Sequence, residues 1–226
     1  MPSKYGNGFF TVQKMHMENT DRHTHWEHIY QTKQLVEVGW YQQVPVTSLE
    51  IVQQFHLPKN AKIIDVGGGD SYFVDHLLGL GYHDITVLDI SETAIARAKA
   101  RLGDKAGSVK WIVADAADFE PTEKYDFWHD RAAFHFFLTP SEIEKYIATA
   151  HESIHPGGIL VLGTFSDNGP RKCSGLDIRQ YSESSMNVLL KEYFEKIKCI
   201  YVDHQTPADV IQHYIFCIFL KPVIER

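Results

Sequence analysis

The chain lacks any long apolar run: nothing in its 226 residues approaches the roughly 18 consecutive apolar residues that a membrane span needs. Its first ten residues lack the basic-then-apolar order of a secretory signal. Cysteine is scarce. Cys173, Cys199 and Cys217 are odd in number and widely spaced, with no Cys-x-x-Cys pair. That pattern speaks against a disulfide framework or a zinc ribbon and predicts free thiols in a reducing, cytoplasmic compartment. Positive charge is also short, with 22 Lys and Arg against 29 Asp and Glu, and the formal charge of −7 argues against a broad nucleic-acid surface. No repeat or low-complexity tract interrupts the chain. With 44% hydrophobic residues it reads as one globular domain over 1–226.

What is present is organised around Ile63-Ile64-Asp65-Val66-Gly67-Gly68-Gly69-Asp70-Ser71. A β-branched run ends in an acid and empties into three glycines, and an amphipathic segment from Tyr72 to Leu80 follows. This predicts a buried strand, a tight turn with little side-chain bulk and the start of a helix. Glycine lets the backbone approach a ligand closely, and a helix start offers free N–H groups, so a nucleotide-like ligand fits above the turn. The dinucleotide pattern G-x-G-x-x-G lacks its third glycine here, since Tyr72 stands in its place. The Lys-Ser/Thr of a P-loop is missing too. Asp65 would repel a pyrophosphate but suits a ligand that carries a cation.

Two more strands end in acids. Asp84 to Asp89 closes on Asp89, close to the spacing of about 20 residues at which a carboxylate meets a ribose in nucleotide-binding βαβ units. Val109 to Val113 runs into Ala114-Asp115-Ala116. Asp65, Asp89 and Asp115 would then sit together at the carboxyl edge of a parallel sheet, where open α/β sheets bind ligands.

Asp65-x-Gly67-x-Gly69 resembles the first motif of the class I (seven-strand) S-adenosylmethionine-dependent methyltransferases, with Ser71 in place of the usual third glycine. His155-Pro156-Gly157-Gly158 resembles the family's turn into its fifth strand, and the resemblance extends over residues 24–222. It implies an α/β fold: a doubly wound, mostly parallel seven-stranded sheet with an antiparallel last strand, Rossmann-like in the manner of those enzymes. It implies S-adenosyl-L-methionine as cofactor. Asp65, Gly67, Gly68 and Gly69 would hold its methionine portion, Asp89 and Ile90 its ribose, and Asp115 and Ala116 its adenine. His129 and Trp40 would complete that site. Family members that methylate exocyclic base amines carry Asn/Asp-Pro-Pro-Tyr after the fourth strand; this chain has His129-Asp130-Arg131, which speaks against a nucleic-acid substrate.

Asp130 and His135 are candidate general bases, although His129 and Asp130 can equally hold the cofactor's amino acid and His135 can simply pack. Arg131, Tyr41 and Cys173 are candidate substrate contacts. Cys173, beside Arg171 and Lys172 in the long polar stretch 166–178, reads either as a thiol of depressed pKa or as an idle surface residue. The aromatic series Trp26, Tyr30, Trp40 and Tyr41 reads as an N-terminal lid within residues 1–58, or as ordinary aromatic packing. Residues 1–20 read as a mobile arm. His23, His25 and His28 lack the partners of a metal site. The expected activity is methyl transfer to a small molecule; the alternatives are a protein lysine as acceptor, or a regulatory protein that binds the cofactor without turnover. No membrane partner is expected, and the sequence leaves the oligomeric state open.

Overall fold

In the computed structural model, residues 22–223 are described. The N-terminal arm expected over residues 1–20 lies outside them. The first element is a helix over residues 22–32, α1, followed by α2 (Val46–Gln54). The core then alternates strands and helices: β1 (Lys62–Val66), α3 (Phe73–Gly79), β2 (Asp84–Asp89), α4 (Glu92–Leu102), β3 (Val109–Val113), β4 (Tyr125–Arg131), α5 (Pro140–Ser153) and β5 (Ile154–Phe165). A small hairpin, β6 (Lys172–Cys173) and β7 (Leu176–Asp177), precedes α6 (Glu183–Leu190). The chain closes with β8 (Glu195–Gln205) and β9 (Ile211–Leu220).

The seven long strands form one sheet in the order β3-β2-β1-β4-β5-β9-β8. β1 to β5 run parallel, and β9 pairs antiparallel with both β5 and β8. This is the seven-stranded, Rossmann-like methyltransferase fold. The strand order reverses between β1 and β2 on one side and β4 on the other, so a crevice opens above the carboxyl end of β1.

Strand alternation divides the core into two layers. Ile64, Trp128, Leu160 and Leu162 face α5 and α6, meeting Ile143, Tyr146, Ile147, Met186 and Leu190. Ile63, Val87, Phe127 and Val161 face α2, α3 and α4, meeting Ile51, Val52, Phe73, Leu77 and Ile95. Covered on both sides, the central strands are near-continuous apolar runs, as parallel sheets require. Local signals set the helix starts. Thr139 and Glu142 form a capping box with Pro140 in the first turn of α5, and Ser91 caps α4 by accepting from the Ala94 N–H.

Two sequence expectations fail here. Cys199 and Cys217 face each other across β8 and β9 and form a disulfide, so only Cys173 is a free thiol among the described residues. The free-thiol argument for a reducing compartment falls with it. The polar stretch 166–178 is not a bare loop: it folds back as β6–β7, and Lys172 pairs with Asp177 across the hairpin. No helix among the described residues is long and apolar enough to cross a membrane.

Candidate active site

The three strand-end acids come together at the sheet's carboxyl edge. β1 delivers Asp65, and the chain then turns through Gly67 at φ +66° and Gly69 at φ +52°, both left-handed. The turn is tight because the site needs the space: a Cβ on Gly67 would lie 2.5 Å from that of Ala133, and one on Gly68 would lie 2.6 Å from Asp65 Oδ2. Asp65 Oδ1 lies 2.7 Å from His129 Nδ1, and His129 Nε2 lies 2.9 Å from Ser48 Oγ. That chain of contacts fixes the carboxylate and occupies both ring nitrogens.

Asp89 is buried, and Oδ1 accepts the Ser91 N–H at 2.8 Å. Burial pushes its pKa up to about 7, and the nearby Asp70 and Asp65 carboxylates act in the same direction. Asp115 accepts the Ala117 N–H at 2.9 Å, and the Arg22 guanidinium sits 3.3 Å from both of its oxygens.

Two cavities open over these groups. The larger, open to solvent, spans about 670 Å³ and is floored by Gly67, Asp89, Ile90, Asp115 and Ala116. The smaller, about 380 Å³, lies against Asp65, Gly68, Ser71 and His129. Tyr30, Trp40, Gly67 and Arg131 line both, so the two adjoin. Arg131 stands where β4 ends, and the next residue, Ala132, takes φ +69°. A left-handed alanine costs about 1 kcal/mol, and here it swings the chain away from the sheet at the cavity wall.

α1 roofs the larger cavity. Trp26, Tyr30 and Trp40 pack against one another, and Trp26 meets Phe136 edge-on at 5.0 Å. Polar clamps hold the helix down. Arg22 pairs with Asp115 and Glu142, and Glu27 accepts from the Ser91 hydroxyl at 2.6 Å and from the Thr93 hydroxyl. At the other end Arg97 donates to the Tyr30 and Lys33 carbonyls. Glu27 thereby places a carboxylate at the N-terminus of α4, where the helix dipole favours it.

Three expected site residues lie outside the two cavities, and a fourth, Cys173, is in place but with a different thiol from the one expected. Asp130 is buried on the opposite face of β4, outside both cavities. It accepts from the Ala133 and Phe134 N–H groups at 3.0 Å and from the Tyr146 hydroxyl at 2.7 Å. Burial pushes its pKa up to about 6, and its oxygens are engaged by the turn after β4 and by Tyr146 of α5, away from both cavities. His135 is likewise buried; Nδ1 accepts the Phe165 N–H, and burial pulls its pKa down to about 3. Tyr41 packs against Tyr72 and faces a separate surface hollow beside His204. Cys173 does line the larger cavity, yet burial pushes its thiol up to about 11, the reverse of the depressed value expected from Arg171 and Lys172. Both of those side chains are exposed.

Sequence reasoning passed over Arg22, Glu27 and Phe136. Arg22 had a signal, because it stands one and two helical turns before Trp26 and Tyr30 on the same face.

Comparison with known proteins follows the same line. A family model described as a methyltransferase domain matches residues 63–158. The mouse (Mus musculus) eEF1A lysine and N-terminal methyltransferase is 25% identical over 143 residues, covering 59% of this chain and 20% of that protein. A malonyl-[acyl-carrier protein] O-methyltransferase of Anoxybacillus flavithermus is 32% identical over 107 residues, covering 46% of this chain and 39% of its own length. The chain thus spans well under half of these curated relatives. Among solved structures, the Burkholderia thailandensis 1,6-didemethyltoxoflavin-N1-methyltransferase, with bound 1,6-didemethyltoxoflavin and S-adenosylhomocysteine, superposes with a TM-score of 0.67 at 16% identity, over 99% of this chain and 94% of that one. A structure from work on converting a disulfide bond into a thioacetal group in echinomycin biosynthesis gives 0.72 at 19% identity, over 88% and 91%. At such identities the likeness is one of fold.

Proposed function

We propose that this protein transfers a methyl group from S-adenosyl-L-methionine to a small-molecule acceptor: residues 63–158 match a methyltransferase-domain model, and the whole sheet has the class I methyltransferase fold. The observation that carries the proposal is the lining of the two adjoining cavities by Asp65, Asp89 and Asp115 around the Gly67–Gly69 turn. The cavities fit the cofactor on their own terms. Acids line the floor where a dinucleotide's pyrophosphate would be repelled, and the glycines clear the backbone.

When bound, S-adenosylmethionine supplies a methyl group already activated by its sulfonium. The chain's residues then have positioning work. Asp89, once ionised, accepts from the ribose hydroxyls, and Asp115 with the Ala116 backbone meets the adenine edge. Asp65, held by His129, faces the ammonium end. Trp26, Tyr30, Trp40 and Phe136 exclude water above the site. Among the described residues no histidine lines the larger cavity, which suits an acceptor that arrives nucleophilic, as a thiolate, a carboxylate or an unprotonated nitrogen. Alignment at near-attack distance supplies most of the rate.

The clamped roof supports a small acceptor: α1 is fastened at both ends, and Leu176 of the β6–β7 hairpin packs against the same aromatic cluster. The mouse relative's name keeps a protein lysine as the second reading. The test incubates the protein with methyl-labelled cofactor and a cell extract divided into small-molecule and protein fractions. Label in the small-molecule fraction supports the proposal, label in protein alone selects the second reading, and label in neither contradicts turnover.

A further inference from the structure

We propose that the guanidinium of Arg131 seats a carboxylate at the seam of the two cavities, carried either by the acceptor or by the amino-acid end of the cofactor. The inference rests on the methyltransferase reading above.

Arg131 lines both cavities. Nη1 donates to the Trp40 carbonyl at 2.9 Å, and the guanidinium lies 5.0 Å above the Tyr214 ring. Nη2 is buried with no hydrogen-bond partner among the described residues. Arg22, Arg97 and Arg101 each pair with an acid, whereas no carboxylate among the described residues pairs with Arg131. His135, His204, Cys173 and Tyr214 feel its charge. All four are neutral near pH 7: burial lowers both histidines and raises the thiol and the phenol. Asp65, the acid among the described residues that lines the smaller cavity, is already engaged by His129.

A guanidinium stays charged at any working pH, and a buried charge without a counter-charge is costly. In a protein with an acidic surplus, leaving this one unpaired at a cavity wall points to an anion supplied by a ligand. Guanidinium N–H groups match carboxylate oxygens well, and the indole of Trp40 offers an apolar wall beside them.

The test titrates wild type, Arg131→Met and Arg131→Lys calorimetrically with three probes. These are S-adenosylhomocysteine, 5′-methylthioadenosine (the same nucleoside thioether without the amino acid), and benzoate at saturating S-adenosylhomocysteine. A cofactor carboxylate predicts that Arg131→Met weakens S-adenosylhomocysteine about tenfold or more and leaves methylthioadenosine unchanged. An acceptor carboxylate predicts that both nucleosides bind as before while benzoate binding is lost. In either case Arg131→Lys recovers part of the affinity, since it keeps the charge. The proposal is overturned if Arg131→Met binds all three probes as wild type does, or if it loses methylthioadenosine as severely as S-adenosylhomocysteine. Failure of the wild type to bind S-adenosylhomocysteine would instead overturn the methyltransferase reading.

Discussion

Asp89→Asn should make the ligand-free protein more stable at alkaline pH while weakening its hold on a nucleoside. Asp89 is 5% exposed and its pKa is pushed up to about 7 by burial, with Asp70 and Asp65 adding to it. In the unfolded chain the group titrates near its ordinary value of about 3.9. Between those two values the folded state holds a proton that the unfolded state has lost, so the group's contribution is fully present at low pH and disappears as pH rises through about 7. Above that, an ionised carboxylate sits buried against its preference. At about 1.36 kcal/mol per pH unit the ceiling of this cost is about 4 kcal/mol, and local relaxation brings the working figure to about 2 kcal/mol. Asparagine keeps the shape and the acceptor for the Ser91 N–H but cannot ionise. For a chain of this size about 2 kcal/mol corresponds to about 4–8 °C in Tm. Thermal unfolding by circular dichroism should therefore show Asp89→Asn melting several degrees above wild type near pH 8 and only about a third as far above it near pH 5. An equal difference at both pH values, or destabilisation at the higher one, would refute the argument. The same variant should bind S-adenosylhomocysteine about tenfold more weakly, because an amide offers a ribose one acceptor in place of two.

Gly69→Ala forces a side chain into left-handed backbone at φ +52° and directly against the Tyr30 hydroxyl. It should weaken nucleoside binding about tenfold and speed amide exchange across α1, and unchanged exchange there would mean that the roof does not rest on the turn. Reduction of Cys199–Cys217, or Cys199→Ser, should cost about 2–3 kcal/mol in urea unfolding, and superimposable curves with and without reductant would contradict the bond. Asp130→Asn should cost about 1–3 kcal/mol of stability through its contacts with Tyr146, Ala133 and Phe134. Turnover per folded molecule should change by less than about threefold; a hundredfold loss at unchanged stability would restore Asp130 as a base.

What was legible in the sequence was what neighbours along the chain decide. Asp65, Asp89 and Asp115 announced themselves because a strand, its terminal acid and the following turn are contiguous, and parallel topology then gathers three such ends on one edge. The residues misplaced were those whose role depends on which way a side chain points. His129 and Asp130 are adjacent, so on a strand they face opposite layers: His129 meets Asp65 beneath the smaller cavity, and Asp130 meets Tyr146 under α5. Cys199 and Cys217 become partners only through the register of the β8–β9 hairpin, which spacing alone does not fix. The partners of the clamps on α1 were illegible for a similar reason. Arg22 reaches Asp115 and Glu142, and Glu27 reaches Ser91 and Thr93, all remote in sequence. Cys173 misled because Arg171 and Lys172 turn outward while its own thiol turns into the cavity.

The central claim is that the crevice above Asp65, Asp89 and Asp115 is built for an adenosyl ligand carrying a sulfonium or thioether and not for a dinucleotide. Isothermal titration of the wild-type protein near pH 8 with S-adenosylmethionine and S-adenosylhomocysteine, with NAD as control, tests it directly. The account predicts saturable one-to-one binding of both sulfur ligands and none of NAD, and that binding should be lost on Asp89→Ala. Saturable binding of NAD, or binding of the sulfur ligands that is indifferent to Asp89→Ala, would contradict it.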